Sequence, residues 1–416
     1  MGTSKQVRSF EDLSFLANCC KRVLTLFSGG LDSTYVLQEL RNRSKDLEII
    51  CLTVDLGDGV NQDDLGDIAK QFGAISIVVD GKERFVQKAV LPAMQANARY
   101  MGIYPISSSL SRPIIVEYAC EYACKLDCQA IIHTANQSQN SLRRLNGAIR
   151  QLNFDGYYGT PYEFSVISRV EKIEKLRKEG LERFQARGVS GDANLWVREF
   201  ESGSLDNPES FEIPEDLLKW TATCSSKGRS SLRLDFYEGR PVAINGSRIP
   251  PVALIAQLNG IAGCYQIGRY AGLEHLDGDE KVLEVREAPA ACMLMDAYRH
   301  LETASLGSEL LREKLTIEQI WVREAVEGRW FSGMRAAASA FIASTAEKIS
   351  GHVEYILRPG GFDVSSIVSR SPLYLTDRDA WEQEIAKVRG SRSLEAMQST
   401  VSVPISSRAG RELSVI

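Results

Sequence analysis

The chain has 416 residues, 44% of them hydrophobic and 25% charged, and a formal net charge of −5. That size predicts two or three domains with ordinary cores. The acidic balance argues against a nucleic-acid surface over the whole molecule, though not against a local basic groove, and no apolar run approaches the ~20 residues of a membrane span.

Residues 1–20 read as a polar leader with one short helix and no signal-peptide apolar core. Gln6 stands where a myristoylation signal needs Ser or Thr, so a cytoplasmic enzyme is expected. Residues 23–27 predict a strand that runs into Ser28-Gly29-Gly30-Leu31-Asp32-Ser33, with a helix over 33–43. A strand over 47–54 ends at Asp55, followed by a helix over 67–72 and a strand over 75–79. Helices over 82–101 and 113–125, a strand over 130–133 and a helix over 142–152 complete the run. Strands alternating with helices predict an α/β domain whose parallel sheet is covered on both faces. Ligands sit at the carboxyl ends of such strands, so the loops after Phe27, Val54 and Ile132 carry the chemistry.

Ser168-Arg169-Val170-Glu171 is a capping box that opens a charged helix to 178. Beyond Gly180 the pattern changes. Runs 232–236 and 241–244, with turns at Glu238-Gly239 and Asn245-Gly246, predict an antiparallel hairpin. Several helices follow, then a strand pair over 352–357 and 364–368 around Pro359-Gly360-Gly361. The expected organisation is a leader (1–20), a nucleotide-binding domain (21–182), an α+β domain for synthesis and oligomerisation (183–379) and a C-terminal arm (380–416).

Nine cysteines include Cys120, Cys124 and Cys128, spaced to share one helix face. Without a distant second pair they read as packing residues rather than a zinc site. His275, His300 and His352 show no ligand spacing. Met293, Met295, Trp196, Trp321 and Trp330 read as core.

The loop at 28–33 places two glycines and two hydroxyls at a strand-to-helix turn, where bare backbone N–H groups and the helix dipole attract an anion. No Lys follows the second glycine, so it is not a Walker A loop. It resembles the SGGxDS pyrophosphate loop of the ATP pyrophosphatases. That resemblance implies cleavage of ATP between the α- and β-phosphates, with Mg²⁺ carried on the phosphates rather than by protein side chains. It assigns Phe27, Ser28, Gly29, Gly30, Asp32, Ser33 and Thr34 to ATP, with Val54 and His133 beside them and Asp32 and Ser33 as the catalytic pair. For His133, packing and a backbone hydrogen bond compete with that role. Asp55 and Asp58 lie near the nucleotide by loop position or are ordinary loop carboxylates.

Within that superfamily, residues 21 to 375 resemble argininosuccinate synthase. TVDLGD (53–58), YPISSSLSRP (104–113), HTANQSQNSLRR (133–144), SRVEKIE (168–174), DANLW (192–196) and GRWFSGMR (328–335) fall in the family's order. The resemblance implies adenylation of a carbonyl oxygen and attack by an amine, releasing AMP and pyrophosphate. It further implies small amino-acid-like substrates, no nucleic-acid or membrane partner, and a homotetramer or homodimer. Tyr104, Ser109, Asn140, Arg144, Ser190 and Glu274 match citrulline-binding positions, Asn140 also matches an aspartate contact, and Arg144 is the expected cation for a substrate carboxylate.

The departures fall on the amino-acid pockets. Ser141 replaces an aspartate-binding Asp, Asn136 a Thr, Glu199 a citrulline-binding Ser and Arg286 a citrulline-binding Tyr. A mismatched buried charge costs about 3–5 kcal/mol. The sequence therefore favours a paralogue with altered substrates. A genuine argininosuccinate synthase is the first alternative. A tRNA- or 7-deazaguanine-modifying pyrophosphatase would want a CxxC zinc cluster or a basic RNA-binding domain, and a non-enzyme would want a broken phosphate loop.

Overall fold

The computed structural model describes residues 5–57, 59–184, 189–222, 228–276 and 279–390. Asp58 lies outside the described residues, as does the part of the expected arm beyond 390. Six strands form the first sheet, in the order Gln6–Val7, Tyr157–Gly159, Ala130–Ile132, Arg22–Leu26, Glu48–Asp55, Ile75–Asp80. All neighbours run parallel. Val23, Leu24 and Thr25 of the middle strand are wholly buried, as helices on both faces require. The α/β class is as the sequence predicts, and the four predicted strands match to within one residue at each end.

The polar leader is a correction. Gln6–Val7 adds the edge strand beside Tyr157–Gly159, and the helix Phe10–Cys19 buries Phe10, Leu13 and Leu16. Each fully buried side chain contributes about 1.5–3 kcal/mol, so these residues belong to the first domain's core. Ser9 and Asp12 form the capping box that starts this helix. The helix expected over 82–101 also differs. It breaks into Lys82–Phe85, a π-turn Val86–Val90 and Leu91–Gln95, and then gives way to the short strand Arg99–Tyr100. Pro92 lacks the N–H that an α-ladder needs, and the wider turn just before it accommodates that gap. The helix expected from 113 begins at Ser108, with Pro113 inside it. The helix expected from 67 begins at Gln62, capped by Asn61.

The remainder of the chain carries two antiparallel sheets and several helices. One sheet runs Arg269–His275, Lys281–Glu287, Arg198–Glu201, Ser190–Ala193. The other runs Ser247–Arg248, Arg240–Ile244, Ser230–Tyr237, Gly351–Arg358, Gly361–Ser369, and joins the expected hairpin to the expected strand pair. Trp196, Trp321, Trp330, Met293 and Met295 are buried. Cys128 is buried and Cys120 partly so, but Cys124 is exposed, so the cysteine face is not uniformly packed.

Close backbone approach fixes the helix Ser141–Gln151 against the second half of the chain. A Cβ on Gly147 would lie 2.4 Å from the Gly328 carbonyl oxygen, and one on Gly328 (φ +71°) would lie 2.6 Å from that of Arg143. The contact aims Asn140 and Arg144 at the four-stranded sheet.

Candidate active site

The strand Arg22–Leu26 ends at Phe27, whose N–H bonds to Leu52 O at 2.9 Å and whose carbonyl accepts from the Thr53 hydroxyl. The chain then turns through Gly29 at φ +68°. Gly30 caps the helix Leu31–Arg43 without any side-chain hydrogen bond to the first-turn N–H groups. Ser28 Oγ accepts from Gly30 N–H at 3.3 Å and lies 3.3 Å from Ser33 Oγ, which itself donates to Gly30 O at 3.1 Å. The result is a concave turn with helix-end N–H groups left for an anion, which fits a phosphate.

A Cβ on Gly29 would stand 2.5 Å from Leu65 Cδ2. Gly29→Ala is therefore expected to weaken ATP binding at least tenfold, about 1.4 kcal/mol, through both strained φ and a clash. Titration calorimetry with ATP checks this.

Across the loop, Lys172 Nζ sits 2.5 Å from Asp32 Oδ1 and 4.7 Å from the centre of the Tyr162 ring, while Tyr162 Oη donates to Asp32 O at 3.1 Å. Lys172 belongs to the helix Arg169–Lys178, which Ser168 caps. Arg169, Lys172 and Asp32 line a cleft of about 360 Å³ together with Asn136, Gln139, Ser190, Glu201, Asp206 and Lys281. Reading SRVEKIE only as a landmark missed Lys172 and Arg169. Their three-residue spacing at a capped helix start was the available signal, since it puts both cations on one face.

Two residues expected at the nucleotide are buried. Thr34 is wholly buried on the helix, and His133 is 1% exposed. His133 Nδ1 accepts from Ala135 N–H at 3.3 Å and Nε2 donates to Asn146 Oδ1 at 2.9 Å, so neither nitrogen is left for a ligand. Burial pushes its pKa down to about 4, which keeps it neutral. Val54 packs against Gly81, and Asp55 is held by Lys82 Nζ at 2.6 Å and Gly57 N–H at 2.8 Å.

Six of the expected substrate residues converge in one buried network. Glu274 Oε1 accepts from Arg144 Nη2 at 2.7 Å and Asn140 Nδ2 at 3.0 Å. Its Oε2 accepts from Arg286 Nη2 at 3.0 Å and Tyr104 Oη at 3.2 Å. Arg286 lies over the Tyr104 ring at 4.1 Å, pairs with Glu199 at 3.3 Å and Glu284 at 3.4 Å, and donates through Nη1 to Pro105 O at 2.8 Å. Burial works to raise the Glu274 carboxyl, but the Arg144 and Arg286 guanidiniums outweigh it and hold the group well below the usual carboxylate range. Glu199 and Glu284 are pushed up, chiefly by burial and against the pull of Arg286.

Arg144 is not a free cation. Its Nε donates to Val326 O at 3.0 Å and Nη1 to Ser108 Oγ at 2.7 Å, so with Glu274 all three nitrogens are engaged inside the protein. A substrate carboxylate at Arg144 would share or displace these partners. Ser109 is buried in the helix beginning at Ser108. Ser141 Oγ accepts from Arg112 Nε at 3.0 Å, and Arg112 Nη2 pairs with Asp192 at 2.5 Å. Asn136 and Ser190 face the open cleft. Sequence reading missed Arg112 and Glu284, because their strand and helix contexts were not resolved as one surface.

A parallel-sheet domain with an anion cradle at a strand end, joined to a charged α+β wall, defines a nucleotide-dependent ligase. Residues 22–182 match the argininosuccinate synthase N-terminal HUP domain, and residues 189–400 match the argininosuccinate synthase C-terminal domain. The chain is 34% identical over 361 residues to the argininosuccinate synthase of Dictyoglomus thermophilum, covering 86% of this chain and 89% of that protein. It is 34% identical over 365 residues to that of Microcystis aeruginosa, covering 86% and 90%. The chain belongs to the argininosuccinate synthase family, and it is an ATP-dependent ligase forming AMP and pyrophosphate. Among the described residues no helix is long and apolar enough to cross a membrane.

Proposed function

We propose that this ligase adenylates a ureido, amide or carboxylate oxygen and couples that carbon to an amine, with substrates other than citrulline and aspartate. The observation that carries this reading is Arg286. Its guanidinium occupies Glu274 Oε2 in the pocket where Glu274 and Arg144 would otherwise meet a substrate. In this reading the Ser28–Ser33 turn holds the phosphates, with Lys172 and Arg169 neutralising charge as pyrophosphate departs. Mg²⁺ would reside on the phosphates and withdraw electron density there. The cleft brings the activated carbon and the amine together, so rate comes from positioning rather than from a protein nucleophile. The exposed helix Arg378–Gly390, with Trp381 outward, is the start of an arm for self-association into a dimer or tetramer.

A citrulline–aspartate enzyme is the second reading. The relatives' identity over most of the chain and the retained Tyr104, Arg144 and Glu274 favour it. Calorimetric titration of citrulline into the chain loaded with α,β-methylene-ATP separates the two. The paralogue reading expects a Kd weaker than about 1 mM, whereas micromolar binding returns the chain to citrulline.

A further inference from the structure

The register of the four-stranded sheet puts its charges on one face. Asp192 stands opposite Glu199, and Glu199 opposite Arg286. Glu201 and Glu284 lie two residues along the same strands and so share that face. The other face sends Phe200, Leu283 and Val285 into a small apolar cluster with Leu205. Glu274 completes the charged face from the outer strand through its bond to Arg286.

Five carboxylates, Asp192, Glu199, Glu201, Glu274 and Glu284, thus meet three guanidiniums. Those are Arg286 from the sheet and Arg112 and Arg144 from the facing helices. Most of their nitrogens are engaged inside the protein, Arg286 Nε being the buried exception. Arg144 uses every nitrogen, Arg112 is spent on Ser141, Ser111 and Asp192, and Arg286 Nη1 is held by Pro105 O. The two hydrogens of Arg286 Nη2 go to Glu274 and Glu284, so Glu199 Oε2 feels only its charge.

Glu199 Oε2 is the second observation. It belongs to a residue 8% exposed, yet it accepts no hydrogen bond. A buried carboxyl oxygen without a donor is destabilising, so such an oxygen calls for a donor. Beside it, Glu201 lines the open cleft and, among the described residues, accepts from Gln139 Nε2 at 3.4 Å. The wall offers carboxyl acceptors, and the same cleft is lined by Lys172, Arg169 and Lys281.

We infer that the Glu199–Glu201 edge is the site of the amine nucleophile, and that this amine enters as a cation bearing no carboxylate. The inference rests on the ligase reading above and names its second substrate class. In the coupling step the ammonium gives a proton to the neighbouring carboxylate. The freed nitrogen pair forms the C–N bond, and the C–O bond to AMP breaks with its electrons leaving on AMP. The nitrogen's second proton passes to solvent from an amide product or stays on a guanidinium or amidinium product. A dicarboxylate amine such as aspartate would instead set its anions against Glu199, Glu201 and Glu284.

The test is calorimetry on the full chain loaded with α,β-methylene-ATP, with putrescine and L-aspartate as probes. Putrescine is expected to bind at least tenfold tighter than aspartate. Glu201→Gln, and independently Glu199→Gln, should weaken putrescine at least tenfold without changing nucleotide affinity. No heat from putrescine, equal or tighter aspartate binding, or unchanged putrescine affinity in both variants would overturn the assignment. Titration of the nucleotide alone reports separately on the ligase reading, whose failure shows there and not in the amine preference.

Discussion

Lys172→Ala and Asp32→Ala are each expected to slow pyrophosphate release by about 10²–10³-fold, the usual loss when a preorganised charge partner of a departing oxyanion is removed. Lys172 projects from a capped helix into the cleft, and Asp32 holds its ammonium at 2.5 Å. Removing the lysine takes away the only described cation bonded to the Ser28–Ser33 turn. Removing Asp32 frees that ammonium to move. Asp32 is substantially exposed, so its loss should leave the unfolding midpoint nearly unchanged. Pulsed measurement of pyrophosphate from labelled ATP, alongside urea unfolding, separates the effects. Rates within twofold of the parent would remove both residues from the phosphate site.

Glu274→Ala is expected to destabilise the fold by about 3–5 kcal/mol, because it strips the shared carboxylate from two buried guanidiniums. Arg144 and Arg286 are 3% and 2% exposed, and both donate to Glu274. Asn140 and Tyr104 lose an acceptor at the same time. Arg286 keeps Glu199 and Glu284, whereas Arg144 keeps only neutral acceptors, so the penalty concentrates on Arg144. Urea unfolding of parent and variant measures the difference, and a loss under about 1 kcal/mol would mean the network relaxes or admits water.

The phosphate loop was legible because it is local. Its strand, glycines and helix start are contiguous, and the alternation of buried runs with helices gave the parallel sheet. Gln6–Val7 was not legible, since two residues show no period and their pairing partner lies at Tyr157–Gly159. The four-stranded sheet was hidden for a different reason. Residues such as Arg198-Glu199-Phe200-Glu201 alternate properly, but their charged side is buried, which composition reads as solvent-facing. Family resemblance picked out Glu199, Glu274 and Arg286 as one pocket, and the three do meet. What it could not supply was the saturation of Arg144, because Val326 O and Ser108 Oγ arrive from distant segments.

Steady-state pyrophosphate release with citrulline and aspartate as the substrate pair tests the central claim most directly. With Arg286 seated on Glu274 and Arg144 held by Val326 O, Ser108 Oγ and Glu274, the account predicts kcat/KM well below about 10⁴ M⁻¹ s⁻¹, the lower end of ordinary enzyme efficiency. A value at or above that figure would contradict it and make the chain an argininosuccinate synthase acting on the family's own substrates.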